Sequence, residues 1–361
     1  MGICLSMIVK DEADVIERCL RSVRPFIDAW AIVDTGSSDG TQDRIRRLLH
    51  DLPGEIAEFP WVDFSTNRNQ ALRLARGFGT YAMFIDADDT LEVDEPEAFA
   101  ALDAHSYSIE FITRGMASLR PFLAKLDVDW QWTGVLHETL VAPQPALVEK
   151  RFPGARLQRH DDGARNRAGI QAKYARDAEL LRAALRKEPD NARYVLYLGH
   201  SLRESRQWPE AIVAYQRRSE MGGWAEEVYI AKLMVATLKQ HIAAAYADVE
   251  AAYLDAYNFR PQRAEAPAQF ARYLLEQGRY ELASRFARIA CATPMPTDTL
   301  LVNTNAYGWR PWDDLAVALF ELKDAAGCIE ALRHILSHHE LPPAERERVE
   351  RNLGRLTGLS K

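Results

Sequence analysis

The stretch YAMFIDADD, residues 81–89, decides how the first half of the chain folds. Its apolar run is typical of a buried strand, and it ends in acids. Asp86 and Asp88 stand two residues apart, so they share one side of an extended chain. Two such carboxylates suit a hard divalent cation that keeps open positions for a diphosphate. Acidic clusters also occur as solvated loops, so the elements around this stretch decide between the two interpretations.

The segments before this stretch alternate between strand and helix patterns. The segments with a strand pattern are ICLSMIV (3–9), AWAIVDT (29–35) and GEIAEF (54–59). The segments with a helical pattern are EADVIERCLRSV (12–23), DGTQDRIRRLL (39–49) and STNRNQALRLARG (65–77). Ser38 or Asp39 is expected to cap the second helix, and Ser65 to open the third. This order predicts a mostly parallel, Rossmann-like α/β sheet with helices on both faces. Ligands of such sheets bind at the carboxyl ends of the strands.

The strand pattern ends at about Arg165, and Ala-rich helical segments follow. Gly199 and Ala211-x3-Tyr215 match the small and aromatic positions of a helical repeat, and Ala283 follows Ala211 by about two units of the 34-residue tetratricopeptide period. We therefore predict a catalytic domain over 1–165 and an all-α domain of three to five tetratricopeptide-like units over 166–361. An irregular helical bundle is the alternative.

The composition excludes several classes of protein. The chain has 361 residues, a formal net charge of −7, 47% hydrophobic and 27% charged residues, which argues against disorder and fibrous structure. The acidic balance argues against a nucleic-acid partner. No apolar run is long enough for a transmembrane segment. The four cysteines lack CxxC spacing, which favours reduced thiols and a cytoplasmic protein.

Four segments, taken in order, resemble the nucleotide-binding half of GT-A glycosyltransferases of family 2. They are LSMIVKDEADVIERCLRSV, IVDTGSSDGT, DFSTNRNQALRLARG and YAMFIDADD. With its helical second half, the chain is similar to the sublancin-type peptide S-glycosyltransferases. The resemblance implies an α/β GT-A domain that binds a nucleotide-diphosphate sugar with Mn²⁺ or Mg²⁺.

The resemblance also implies roles for single residues. Asp34 would accept a hydrogen bond from the base, Asp86 would hold the ribose or a metal-bound water, and Asp88 would ligate the metal. The nucleotide-sugar-binding set from these four segments is Val9, Lys10, Glu12, Asp34, Thr35, Ser37, Arg68, Asn69 and Asp86. The alternatives are structural: turn and cap residues after the second strand, a solvated helix face for Arg68, and a surface ion pair for Lys10.

A second motif, Trp132-x-Gly134-x-x-His137-Glu138, follows two predicted strands, SYSIEFITR and ASLRPFLAKL. His137 would complete the metal site or contact the diphosphate. Glu138 would be the general base that takes the proton of the acceptor. The alternative is a structural His–Glu pair at a strand end.

A third motif, RHDDGARNRAGIQAKYARD (159–177), leads into the first C-terminal helix. His160 is a further candidate metal ligand, and Arg165 and Lys173 would neutralise the departing diphosphate. A solvated linker is the alternative.

Together these features predict a metal-dependent, inverting glycosyltransferase of the hexosyltransferase class. It would move a sugar, from a UDP-sugar by preference, to a peptide, protein or carrier-bound acceptor that the helical repeats bind, and we allow for a homodimer. A nucleotidyltransferase is disfavoured because the loop Lys10-Asp11-Glu12 is acidic and lacks a Gly- and Arg-rich pattern. A non-catalytic scaffold is disfavoured because Asp86-x-Asp88 and His137-Glu138 are intact.

Overall fold

In the described residues of the computed structural model, ten strands and three α-helices precede the helical half of the chain. The strands are β1 Ile3–Val9, β2 Ala29–Asp34, β3 Gly54–Glu58, β4 Tyr81–Phe84, β5 Thr90–Val93, β6 Ser106–Thr113, β7 Met116–Lys125, β8 Gln131–Thr133, β9 Thr139–Val141 and β10 Glu149–Gln158. The helices are α1 Ile16–Val23, α2 Thr41–Leu48 and α3 Phe64–Ala75. The structure describes residues 2–113, 116–143, 147–160, 162–167, 169–298, 300–339 and 341–358.

Eight of these strands form one sheet in the order β3-β2-β1-β4-β7-β6-β10-β5, and β8 pairs with β9. The pairs β3–β2, β2–β1, β1–β4 and β6–β10 are parallel, whereas β7 runs antiparallel to both of its neighbours. Strands β2 and β4 are buried along their whole length, as expected where helices cover both faces of a sheet. The predicted mostly parallel α/β fold is confirmed.

The helices of this sheet are held by apolar spacing and by caps that differ from the expected ones. Helix α1 buries Ile16, Cys19, Leu20 and Val23, a single face of the helix. Helix α3 is capped by Asp63, whose carboxylate accepts the amide of Thr66, so the expectation that Ser65 opens it is wrong. Helix α2 begins after Gly40, which has a φ of 89° and no capping side chain. Asp39 nevertheless accepts the amide of Thr41 at 3.1 Å.

The second half of the chain is helical. Its helices are α4 Ile170–Lys187, α5 Ala192–Glu204, α6 Trp208–Glu220, α7 Ala225–His241, α8 Tyr246–Phe259, α9 Glu265–Glu276, α10 Tyr280–Ala292, α11 Arg310–Glu321, α12 Ala325–Ser337 and α13 Pro343–Thr357. In the described part, α5 packs on α6, α7 on α8, α9 on α10 and α11 on α12. A Cβ atom on Gly199 would lie 2.7 Å from the buried Tyr215 ring, so the small and aromatic positions pack as predicted. The all-α helical-repeat half is confirmed.

The chain forms two compact units, Met1–Ala184 and Leu185–Lys361, and each is considered by itself. The domain boundary at residue 165 stays a prediction, since the first unit also contains most of α4. Within the described residues, no helix is both long and apolar enough to cross a membrane. The cysteines are free, and Cys4, Cys19 and Cys328 are buried.

Candidate functional site

Asp34 ends β2 and is fixed by the turn that follows it. One carboxylate oxygen, Oδ1, accepts the amides of Gly36 and Ser37, each at 2.7 Å. Asp34 is fully buried, and its Oδ2 has no hydrogen-bond partner among the described residues. An unsatisfied buried oxygen costs free energy unless a ligand supplies a donor. The carboxylate is therefore suited to an N–H group such as that of a nucleobase.

The turns after β1 and β2 are tied together by side chains that bond to the backbone. The amide of Asp11 donates to Ser37 Oγ at 2.9 Å, and Asp11 has a φ of 54°, in the left-handed region. The Thr35 hydroxyl donates to the Val9 carbonyl at 3.1 Å. Thr35 and Ser37 thus shape this edge through the backbone, while Lys10 is exposed beside it. The predicted residues of the first two motifs are brought together.

Arg68, on α3, connects the other motifs. It donates to Asp86 Oδ1 at 2.5 Å, and its Nε lies 3.7 Å from Glu138 Oε1. The guanidinium lies over the Trp132 ring, 5.3 Å from the ring centre. Only 13% of the Arg68 side chain is exposed, so the alternative of a solvated helix face is excluded. A second arginine, Arg120 on β7, lies 3.5 Å from Asp86 Oδ2.

The carboxyl groups after β4 have different electrostatic environments. Partial burial works to raise the pKa of Asp86, but Arg68 and Arg120 outweigh it and bring this pKa below its usual range. Burial and the neighbouring Asp86 raise the pKa of Asp88. Burial, Asp86 and Asp88 likewise raise the pKa of Asp89. Asp88 forms no ion pair among the described residues, and the same holds for Glu12 and Asp89, so these carboxyl groups are the candidates for holding a cation.

The segment 162–167, called the closing segment below, lies against this acidic group. The Ala164 amide donates to Glu12 Oε2 at 3.0 Å. A Cβ atom on Gly163 would lie 2.7 Å from Asp88 Oδ2. Burial raises the pKa of Glu12 to about 7, and Asp88 contributes to the rise. Glu12 and the closing segment therefore both border Asp88.

Glu138 and His137 lie between β8 and β9. Glu138 Oε1 is buried without a hydrogen-bond partner among the described residues, and burial raises the pKa of Glu138 despite the opposing effect of Arg68. His137 is exposed and has a φ of 54°. An unpartnered carboxylate oxygen is available to accept a proton, whereas the metal role of His137 stays a prediction.

Both polar atoms of the Asn69 side chain form hydrogen bonds to the protein backbone. It donates to the Trp132 carbonyl and accepts the Trp132 amide, both at 2.8 Å. Asn69 therefore connects α3 to β8. This structural role was not predicted, and the contact of Asn69 with the nucleotide sugar stays a prediction.

The residues of the third motif are also partnered within the protein. Arg165 donates to Asp177 and lies 4.5 Å from the centre of the Phe64 ring. His160 Nε2 shares a 2.9 Å hydrogen bond with the Thr90 hydroxyl. Lys173, in α4, lies 5.4 Å from the centre of its neighbouring tyrosine ring. These partners favour structural roles, and the diphosphate and metal roles of these three residues stay predictions.

Sequence reasoning missed Arg18, Arg120 and Asp89. Arg18 bonds to Asp162 and to the Asp88 carbonyl, and Arg120 pairs with Asp86. A single arginine within the apolar strand pattern of β7 was the available signal for Arg120. Asp89 is 3% exposed, and its place directly after Asp88 was visible in the sequence.

No group of three or more His, Cys, Asp and Glu side chains in the described residues has the geometry of a metal site. Asp86 is engaged by two arginines, which leaves Asp88 and its neighbours as oxygen ligands. Magnesium is commonly held by one or two carboxylates, with substrate phosphates completing its shell. The residues present fit a cation that binds together with a diphosphate.

Comparison with known proteins supports the resemblance. The Glycosyl transferase family 2 model matches residues 4–140. A TPR repeat-containing protein of Synechococcus elongatus is 27% identical over 248 residues, covering 59% of this chain and 59% of that protein. The SPbeta prophage-derived glycosyltransferase SunS of Bacillus subtilis is 26% identical over 211 residues, covering 55% of this chain and 49% of SunS. The chain thus spans about half to three-fifths of the length of these relatives.

Among solved structures, that of Staphylococcus aureus TarS 1–349 in complex with UDP-GlcNAc aligns with a TM-score of 0.40 and 12% identity. The alignment covers 73% of this chain and 93% of the TarS 1–349 chain. The predicted combination of a family 2 glycosyltransferase domain and helical repeats is confirmed by the family match together with the observed fold.

Proposed function

We propose, on the premise that residues 4–140 are a glycosyl transferase family 2 domain, that this chain transfers a hexosyl group from a nucleoside-diphosphate sugar to an acceptor. The observation that carries the proposal is the position of Arg68. It joins Asp86, after β4, to Glu138, between β8 and β9, within one charged cluster. The predicted donor-binding and catalytic motifs therefore meet at the edge of the sheet where ligands of such folds bind.

The donor would be oriented by the turn after β2. Asp34 Oδ2 is a fixed, buried acceptor that lacks a donor among the described residues, which supports a role in binding the N–H group of a base. Uracil offers such a group, so a UDP-sugar is our preferred donor. Asp86, already held by Arg68 and Arg120, would accept hydrogen bonds from the ribose.

Asp88 would be the main protein ligand of Mn²⁺ or Mg²⁺, with Glu12 beside it. Its lack of an ion-pair partner among the described residues and its raised pKa both support this assignment. The bound cation would neutralise negative charge that develops on the diphosphate. The closing segment lies against Asp88, so both would border the bound donor.

Glu138 would act as the general base. The acceptor's nucleophilic atom forms a bond to the anomeric carbon while its proton passes to a Glu138 carboxylate oxygen. The bond between the anomeric carbon and the phosphate oxygen breaks, and its electron pair leaves with the nucleoside diphosphate. A single displacement of this kind inverts the anomeric centre. Arg68, next to Glu138, opposes the rise in the pKa of Glu138 that burial causes, and so favours the charged, proton-accepting form.

A peptide, protein or carrier-bound acceptor is our proposal, and the helical repeats would bind it, because solenoids of this kind offer extended binding surfaces.

The nucleotidyltransferase alternative lacks support, since Asp11 and Glu12 after β1 are fixed by Ser37 and Thr41 rather than forming a basic phosphate loop. The scaffold alternative predicts no cation-dependent nucleotide binding. A cytoplasmic location and a homodimer stay predictions.

The test uses purified full-length protein with a panel of radiolabelled nucleotide sugars and Mn²⁺, and follows sugar release and transfer. We expect activity with a UDP-sugar, and a loss of at least about 100-fold in Asp88→Asn, because the cation would lose its main ligand. Asp127→Asn is the matched control, since Asp127 is 72% exposed and lies 3.9 Å from Lys125. Equal donor hydrolysis by Asp88→Asn and wild type would show that the metal assignment is wrong.

A further inference from the structure

Arg18 is a charged residue of α1 that the proposed mechanism does not use. Its Nη2 and Nη1 atoms donate to the two carboxylate oxygens of Asp162 at 2.7 and 2.8 Å. Its Nη2 also donates to the backbone carbonyl of Asp88 at 3.1 Å. One guanidinium therefore joins the loop that carries the proposed metal ligand to the start of the closing segment.

The closing segment has further anchors on the same side of the sheet. The Ala164 amide donates to Glu12 Oε2 at 3.0 Å, and Arg167 lies 3.0 Å from Asp14. Gly163 lies between Asp162 and Ala164, and a Cβ atom at this position would lie 2.7 Å from Asp88 Oδ2. The backbone of the segment thus lies directly against the side chain of Asp88.

The contact between Arg18 and Asp162 affects how often the closing segment opens more than it affects the stability of the whole protein. The side chains of Arg18 and Asp162 are 38% and 49% exposed, and exposed ion pairs contribute little to global stability. A two-point guanidinium–carboxylate contact, however, fixes orientation as well as distance. Local opening of a short surface segment starts from a small free energy, so one such contact changes how often it opens.

We propose that Arg18 is a positioning residue of the donor site. It holds the closing segment against Asp88, and the closed segment in turn raises the affinity for a nucleoside diphosphate with its cation. This inference rests on the proposed function, because it assigns the nucleoside diphosphate to the edge of the sheet at Asp88. Arg18 would act through Asp162 and the Asp88 loop and would not touch the sugar.

The first measurement is hydrogen exchange of the full-length protein without nucleotide. In Arg18→Ala, we expect the Ala164 amide to exchange about fivefold faster, because the segment opens more often. Arg21→Ala is the matched control: Arg21 lies one turn further along α1 and pairs with Glu17 on the surface. Unchanged exchange in residues 162–167 of Arg18→Ala would overturn the proposal.

The second measurement is calorimetric binding of UDP in the presence of Mn²⁺. We expect the Kd to rise about fivefold in Arg18→Ala and about threefold in Asp162→Asn. The double variant should bind no more weakly than Arg18→Ala alone, since both changes break the same contact. Arg18→Lys should recover part of the affinity, and Arg21→Ala should match wild type. A purely structural role for Arg18 would lower the melting temperature without this pattern.

The results of these measurements distinguish a failure of the positioning role of Arg18 from a failure of the proposed function. If wild type binds UDP and Arg18→Ala binds it equally well, the positioning role is wrong and the proposed function stands. If wild type binds neither UDP nor GDP with Mn²⁺, the proposed donor is wrong and the positioning role is overturned with it. Additive effects of Arg18→Ala and Asp162→Asn would also overturn the positioning role.

Discussion

Gly163 and Asp88 show at the residue scale how little free space the site has. A Cβ atom on Gly163 would lie 2.7 Å from Asp88 Oδ2 and 2.9 Å from its Cγ. The φ of Gly163 is −63°, which any residue adopts, so space alone requires glycine there. A side chain at this position has to push the Asp88 carboxyl group away.

We therefore expect Gly163→Ala to lower kcat/KM for the nucleotide sugar about 10- to 100-fold, because small misplacements of catalytic groups have effects of this size. The melting temperature should change little, since the segment is a surface loop. Gly77→Ala is the control, because its Cβ atom would meet only the Leu74 carbonyl at 3.6 Å. Steady-state kinetics with both variants checks this, and equal activity of the two would contradict it.

The sequence located the acidic site residues because each follows a strand pattern. Asp34, Asp86 and Asp88 could be placed at the carboxyl ends of β2 and β4 from the alternation of elements alone. Arg18 could not be found in this way, since its partner Asp162 stands 144 residues further along the chain. Pairing over such a distance leaves no local pattern.

Among the secondary-structure elements, α3 and β8 are connected by Asn69, whose side chain bonds to the backbone of β8 as a neighbouring strand would. Its amide satisfies both the N–H and the C=O of Trp132, so α3 carries the backbone pairing that β8 lacks on that side. Trp132 is 7% exposed and packs edge-on against Phe84. Glu138 follows Trp132 by six residues, so this link holds the strand that precedes the proposed base.

Asn69→Ala should reduce the free energy of unfolding by about 1–3 kcal/mol, because it leaves two backbone groups of Trp132 unsatisfied. Arg73→Ala, at an exposed position of the same helix, is the control and should stay within about 0.5 kcal/mol of wild type. Urea unfolding followed by circular dichroism measures both. A stability of Asn69→Ala equal to that of the control would show that the two hydrogen bonds are not needed.

Most of the strands that sequence patterns predicted contain buried apolar residues, and β3 is the exception. The patterns found β1 to β4, β6 and β7, but they did not find β10, which is EKRFPGARLQ and has four charged residues among its ten. Pro153 and Gly154 fall where its pairing with β6 shifts register, between Arg151 and Arg156. Proline and glycine in a bulge are compatible with a strand, yet they remove the alternation that predicts one.

At the scale of the whole chain, each compact unit has its own core, and that of the second contains a buried ion network. Arg263 is fully buried and lies 2.7 Å from Glu265 and 2.9 Å from Asp298. The Tyr307 hydroxyl donates to Glu265 at 2.9 Å. Burial works to raise the pKa of Glu265, but the hydrogen bonds from Arg263 outweigh it and lower this pKa from its usual range. Hydrogen bonds from Arg260 and Arg263 lower the pKa of Asp298.

A carboxyl group with a lowered pKa in the folded state stabilises that state above its unfolded pKa and loses this contribution as the pH falls. The second unit should therefore lose stability progressively once the pH drops below about 4.5. Glu265→Gln should remove part of this dependence and lower the free energy of unfolding by about 3–5 kcal/mol at pH 7, because it leaves the Arg263 charge poorly compensated.

Chemical unfolding of the full chain at pH 4 and pH 7 measures both effects. Glu281→Gln is the matched control, since Glu281 is 65% exposed and pairs with Arg285 one turn along α10. If Glu265→Gln and Glu281→Gln were equally stable at pH 7, the network would not contribute as described.

The 144-residue separation of Arg18 and Asp162 also has a consequence for synthesis. A nascent chain emerges from the ribosome N-terminus first at about 5–20 residues per second, so Asp162 follows Arg18 by roughly 7–30 s. Strands β1 to β4 can pair during this interval, because they all lie within the first 84 residues. These four strands can therefore pair before the closing segment is synthesised, and the proposed nucleotide binding would be a late event in the maturation of each new molecule.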